Sequence, residues 1–92
     1  MDKISSEVKI KNNLGLHARP SAVFVQAASR FQADITIEKN GDIVNGKSIL
    51  GLLMLAAGNG SIIKISASGT DAQYAVDSLV RLVEHDSEFN EI

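Results

Sequence analysis

Apolar and polar residues alternate over residues 4–11, with Ile4, Val8 and Ile10 on one face and Ser5, Glu7, Lys9 and Lys11 on the other. A period of two predicts a half-buried strand. Asn12-Asn13-Leu14-Gly15-Leu16 interrupts the alternation with turn formers. A helix is expected to open within residues 17–20, because Pro20 lacks an N–H and is tolerated only in a first turn. Phe24, Ala28 and Phe31 follow at helical spacing and supply its buried stripe. Ala33, Ile35 and Ile37 alternate with Asp34, Thr36 and Glu38 in a second strand, and Asn40-Gly41 is a favoured hairpin turn pair. A third strand over residues 42–45, a short helix over about 47–55 and a fourth strand over 61–68 complete the middle of the chain. Thr70, with Gln73 three residues later, reads as a capping box for the last helix. Ala72, Ala75, Val76, Leu79, Val80 and Val83 form its core-facing stripe. From residue 86 onward the acidic stretch reads as a frayed tail.

The predicted order is βαββαβα. Strands with one polar face imply a sheet covered on one side only: an α+β open-faced β-sandwich, with a four-stranded antiparallel sheet and three helices on one face. At 92 residues, with no linker or repeat, residues 1–92 form a single domain. Aromatic residues are scarce, so Val, Ile, Leu and Ala must fill the core. The absence of cysteine removes disulfides, thiolate chemistry and Cys-based metal sites together. A net charge of −2, with scattered lysines and arginines, argues against a nucleic-acid partner. The first residues lack the apolar core of a signal peptide, and the strongest apolar run is too short to span a membrane. A cytoplasmic protein without direct membrane binding is expected.

Chemistry concentrates in Gly15-Leu16-His17-Ala18-Arg19-Pro20. Pro20 brings His17 to a helix N-terminus, where unpaired N–H groups and the positive end of the helix dipole favour an anion. Arg19 adds a fork of donors suited to phosphate oxygens. A positive setting favours the uncharged imidazole, whose ring nitrogen is a competent nucleophile. The dipole would stabilise a phosphorylated ring by about 0.3–1 kcal/mol, little enough for the group to leave again. The bland alternative is a surface histidine beside a solvated arginine. A metal site is not expected, because His85 is far along the chain and has no companion at ligand spacing. No cofactor is implied.

A second segment is Asn45-Gly46-Lys47-Ser48-Ile49-Leu50-Gly51, followed by Leu52-Leu53-Met54-Leu55. Ser48 falls at a helix start, where capping is its ordinary role. The helix is apolar almost all round, yet a short helix on a sheet buries one face. Ile49, Leu50 and Leu53 are the expected exposed set, and such a patch suits a partner. Phosphorylation of Ser48 would add about −1.5 to −2 charges there, which the helix start tolerates and an apolar docking surface does not. Burial of the whole set by the tail or in a homodimer is the alternative.

On these two segments the chain resembles the HPr family, the histidine-containing phosphocarriers of the bacterial phosphoenolpyruvate-dependent sugar phosphotransferase system. The resemblance runs over essentially the whole chain. It implies the βαββαβα fold and phosphorylation of His17 at Nδ1 by enzyme I. Onward transfer to enzyme IIA components would follow, with Arg19 assisting. It also implies a regulatory Ser48, modified by an ATP-dependent HPr kinase/phosphorylase, with Ile49 and Leu50 in the docking surface beside it. A transcriptional regulator of the serine-phosphorylated form is a further implied partner. With both His17 and Ser48 present, the chain resembles dual-site members rather than paralogues lacking the histidine. Gln26 and Ser29 stand where some members carry lysines. The Leu52-Leu53-Met54-Leu55 run is similar to the nitrogen-related branch, so sugar uptake and a regulatory phosphorelay are both open. The expected molecule is a monomer that forms a phosphohistidine intermediate rather than a free-standing enzyme. Two rivals are a small acylphosphatase-like enzyme using Arg19, and an interaction module in which His17 has no chemistry.

Overall fold

The computed structural model describes residues 3–90. Along the chain run β1 (Lys3–Lys9), α1 (Ala18–Ala28), β2 (Asp34–Lys39), β3 (Asp42–Asn45), α2 (Ile49–Leu55), β4 (Ile62–Ser68), α3 (Ala72–His85) and α4 (Ser87–Asn90). The strands form one antiparallel sheet in the order β1-β4-β2-β3. The α+β open sandwich anticipated from the alternation is therefore the observed architecture, with one short helix added at its end.

Register explains why the alternation survives in three dimensions. Ile4 pairs with Ala67, and Ala67 with Ile35; Ile65 pairs with Ile37, and Val8 with Ile63. These rows face the helices and supply much of the core. On the opposite face the rows are mostly polar: Ser5, Ser66, Thr36 and Asn45 stand side by side, as do Glu7, Lys64 and Glu38, with the exposed Ile43 at the end of that row. A one-residue slip in any strand would exchange the two sets, so the pattern itself specifies the pairing. On the polar face Ser5 and Ser66 share a hydroxyl hydrogen bond of 2.8 Å. The Lys64–Glu38 pair, at 3.9 Å and partly exposed, contributes about 0–1 kcal/mol. The β2–β3 hairpin turns through Asn40 and Gly41, both at positive φ (51° and 89°). A two-residue turn of that kind matches the strands' own twist.

Two expectations fail at the end of the chain. Thr70 and Gln73 form no capping box. The N-cap position of α3 is Asp71, whose carboxylate accepts from the Gln32 and Ala33 N–H groups, both at 2.9 Å, instead of from its own helix. Gln73 is spent on Asp77, one turn further along. The long-range bonds win because they also close the loop between α1 and β2. Nor does residue 86 begin a frayed tail. Asp86 accepts from the Phe89 N–H at 3.0 Å and opens α4, and the Phe89 side chain is fully buried. Burying a phenyl ring stabilises by roughly 1.5–3 kcal/mol, enough to hold a single turn that its polar composition would leave loose. Glu91 and Ile92, the last of the expected tail, lie outside the described residues. Among the described residues no helix is long and apolar enough to cross a membrane.

Candidate functional site

The loop between β1 and α1 is pinned from three sides before it reaches His17. Ile10 and residues 60–61 exchange backbone bonds of 2.8 and 2.7 Å, extending the β1–β4 pairing past the strand ends. Asn59 donates from Nδ2 to the Lys11 and Asn12 carbonyls at 2.9 and 3.1 Å. The buried Asn12 side chain donates to the Phe89 carbonyl at 3.3 Å. The Leu16 N–H then reaches the Ala57 carbonyl at 2.8 Å, just beyond α2. Gly15, at φ +71°, passes so close to this segment that a Cβ would strike the Ala57 carbonyl oxygen and come within 2.6 Å of the Gly58 Cα. Only glycine fits there, on grounds of both backbone conformation and space.

His17 occupies the N-cap position of α1 in an extended conformation, with φ −94° and ψ −169°. Its carbonyl already accepts from the Ser21 N–H at 3.0 Å, which starts the helix. Ala18 and Arg19 are the first two helical residues and Pro20 the third, so the proline occupies the first turn. No side chain caps this end and no acidic residue lies in its first turn. The Ala18 and Arg19 amides therefore remain available, and the positive end of the helix dipole is not offset locally.

The imidazole is half-buried. Its Nε2 is enclosed and has no hydrogen-bond partner, whereas Nδ1 is not among the enclosed unpartnered atoms. Nδ1 is thus the ring nitrogen able to meet a group arriving from outside. Arg19 is exposed and, among the described residues, takes part in no ion pair. Its guanidinium is free to follow an anion near His17. Among the described residues, no cluster of three or more His, Cys, Asp or Glu side chains could hold a metal ion.

Ser48 is the N-cap of α2 and accepts the Gly51 N–H on Oγ at 3.0 Å. Leu52 and Leu55 are buried beneath the helix, while Ile49, Leu50 and Leu53 are exposed, Leu50 by 67%. Met54, which pattern reading did not single out, is the most exposed of the group at 74%. A seven-residue helix that buries positions 52 and 55 must turn 54 outward, so the signal lay in the helical period. Leu14, exposed at 57% in the loop leading to His17, was also missed as a surface feature. Since α2 packs against α1 and its end touches the loop at Gly15–Leu16, the apolar face and the histidine belong to one side of the molecule. Lys39 donates to the Ala56 carbonyl at 3.2 Å, closing the far end of α2 with a cation where the dipole is negative.

Comparison with known proteins matches this arrangement. The sequence model described as "PTS HPr component phosphorylation site" covers residues 4–85. The HPr-like protein Crh of Halalkalibacterium halodurans is 47% identical over 81 residues, spanning 88% of this chain and 96% of that protein. Phosphocarrier protein HPr of Neisseria meningitidis serogroup A is 44% identical over 80 residues, 87% of this chain and 90% of the relative. The crystal structure of a phosphocarrier protein HPr from Bacillus anthracis superposes with a TM-score of 0.86 at 47% identity, over 90% of this chain and 99% of the other. With a matching sequence model, curated relatives and solved structures aligned over nearly their full lengths, the chain belongs to the HPr family of the phosphotransferase system.

Proposed function

We propose that the chain accepts a phosphoryl group from phospho-enzyme I on Nδ1 of His17 and donates it to enzyme IIA components in the cytoplasm. The observation that carries this reading is the asymmetry of the ring: Nε2 is enclosed without a partner, whereas Nδ1 is not among the enclosed unpartnered atoms, beside an uncapped helix start. In the transfer, the Nδ1 lone pair forms a bond to phosphorus as the bond from phosphorus to the enzyme I donor atom breaks, its electron pair leaving with that atom. The Nε2 proton stays on the ring. The Ala18 and Arg19 amides and the Arg19 guanidinium are the donors within the segment that can give charge-assisted hydrogen bonds to the phosphoryl oxygens. Their aid is modest because the site is open, and a carrier must hold its cargo loosely. Delivery runs the same step in reverse, toward a different acceptor.

Ser48 is the proposed regulatory position, modified by a kinase that uses ATP. Its hydroxyl oxygen already faces the first turn of α2, and a phosphate there would keep accepting N–H bonds while placing a dianion against Ile49 and Leu50. Ile49, Leu50 and Leu53 are the proposed docking residues for enzyme I and the enzyme IIA components, with Met54 extending the patch. The reading is tested by incubating the protein with phosphoenolpyruvate and enzyme I and weighing it intact. A gain of one phosphoryl group that is acid-labile and alkali-stable is expected, and His17→Ala should show none. Catalytic hydrolysis of an acyl phosphate without enzyme I would instead favour the acylphosphatase-like alternative.

A further inference from the structure

Helix α1 carries an inward stripe of Pro20, Ser21, Phe24 and Ala28. Ser21 is the anomaly in it: its side chain is fully buried, and its Oγ has no hydrogen-bond partner. His17, the N-cap four residues earlier, presents its own buried and unpartnered Nε2. The backbones of these two residues are already joined, Ser21 N–H to His17 carbonyl, at 3.0 Å. Buried polar atoms are almost always paired, with protein or with an ordered water, and leaving two orphaned in one turn is costly. An enclosed Nε2–H needs an acceptor, and a serine hydroxyl, which rotates freely, supplies one.

We propose that Ser21 is a positioning residue for the phosphoryl-accepting histidine, its hydroxyl taking the Nε2–H hydrogen bond either directly or through one buried water. The consequence lies in the tautomer. A neutral imidazole has one N–H and one lone pair, and the bond made by one nitrogen decides which nitrogen keeps the lone pair. A partner for Nε2–H inside the fold leaves the lone pair on Nδ1, the nitrogen not among the enclosed unpartnered atoms. Ser21 thereby holds the ring in the form that can attack phosphorus, and fixes its tilt. After the attack, the same hydroxyl continues to accept from the Nε2–H of the charged ring, so the contact need not be remade during the cycle. An alanine would fill the position as well in packing terms, but would offer Nε2 nothing.

The role in attack rests on His17 being the acceptor, but the hydrogen bond itself does not, and the test separates the two. Imidazole nitrogen shifts of His17 are read in the 15N-labelled, unphosphorylated protein, without enzyme I. The wild type should be predominantly the Nε2–H tautomer. In Ser21→Ala the tautomer ratio should fall by about three- to tenfold, the size of effect one net hydrogen bond produces. Ser21→Thr, which keeps the hydroxyl, should restore the wild-type shifts. Identical His17 shifts in wild type and Ser21→Ala overturn the proposal, as does a Ser21→Thr protein indistinguishable from Ser21→Ala. Initial rates of phosphorylation by enzyme I are then measured on the same three proteins, and Ser21→Ala should be slower by a similar factor. A wild type that takes no phosphoryl group at all, with the tautomer change still present, would defeat the carrier reading and leave the Ser21 contact standing.

Discussion

At the scale of single residues, the molecule separates groups that hold the loop from groups that face the outside. Gly15, Asn12 and Asn59 belong to the first set, and their bonds are long-range: Asn12 reaches 77 residues along the chain to Phe89, and Asn59 reaches 47 back to Asn12. No local pattern announces such bonds, which is why Asn12 reads from sequence as an ordinary turn former. The place of His17 at a helix start was legible because the signal was local, a proline in the first turn three residues on. Asp71 shows the same contrast. Its neighbours suggested a cap within α3, whereas its carboxylate is engaged by the N–H groups of Gln32 and Ala33. The Gln32 N–H is the largest influence holding the Asp71 carboxyl below its ordinary value of 3.8, against a partial desolvation that opposes it, with Ala33 and the Lys47 charge assisting. Because the folded state binds that proton less readily than the unfolded state, the contribution is present above the unfolded value and disappears as pH falls through the folded one. Asp71→Asn should therefore be less stable than wild type at neutral pH. The gap between their urea midpoints should narrow as pH drops below about 4. A constant gap across that range would show that the charge is not what the loop uses.

At the scale of elements, hydrophobic period was a sufficient guide wherever an element packs by one face. The strands, the start of α1 and the stripe of α3 lie within about two residues of where alternation and helical spacing put them, whereas α1 ends at Ala28 and Phe31 packs against the core from the loop beyond it. Where an element is held by a single anchor the guide fails, and α4 is the case in point. One turn has no period to read, so its stability rests on Phe89, on Asp86 as its cap, and on Asn90 donating to the Val83 and Asp86 carbonyls at 3.2 and 2.9 Å. Phe89→Ala should lower the free energy of unfolding by about 3 kcal/mol, read by denaturant titration, because it empties a fully buried phenyl site. A loss below about 0.5 kcal/mol would mean that α4 is dispensable. For α2 the expectation concerns function. Ser48→Asp puts a charge beside Ile49 and Leu50 and should slow phosphorylation by enzyme I at least tenfold, with the fold retained by circular dichroism. An unchanged rate would remove charge repulsion as the switch for that partner.

At the scale of the whole molecule, separate segments converge on the β1–α1 loop: the turn after α2 reaches it at Leu16, and α4 reaches it at Asn12. Their meeting sets the His17 ring, an uncapped helix start and an apolar face on one side. The sequence showed the ring and the apolar run separately. Only the pairing of Leu16 with Ala57, and the clearance that Gly15 allows, joins them. The central claim is that Nδ1 of His17 carries the phosphoryl group, and a bond between phosphorus and one particular nitrogen can be observed directly. The 15N-labelled protein, charged with enzyme I and phosphoenolpyruvate, is examined for one-bond coupling between 31P and the imidazole nitrogens. The account predicts the coupling on Nδ1 of His17 alone. Coupling to Nε2, to His85, or to no histidine nitrogen in a protein that has gained the phosphoryl mass would contradict it.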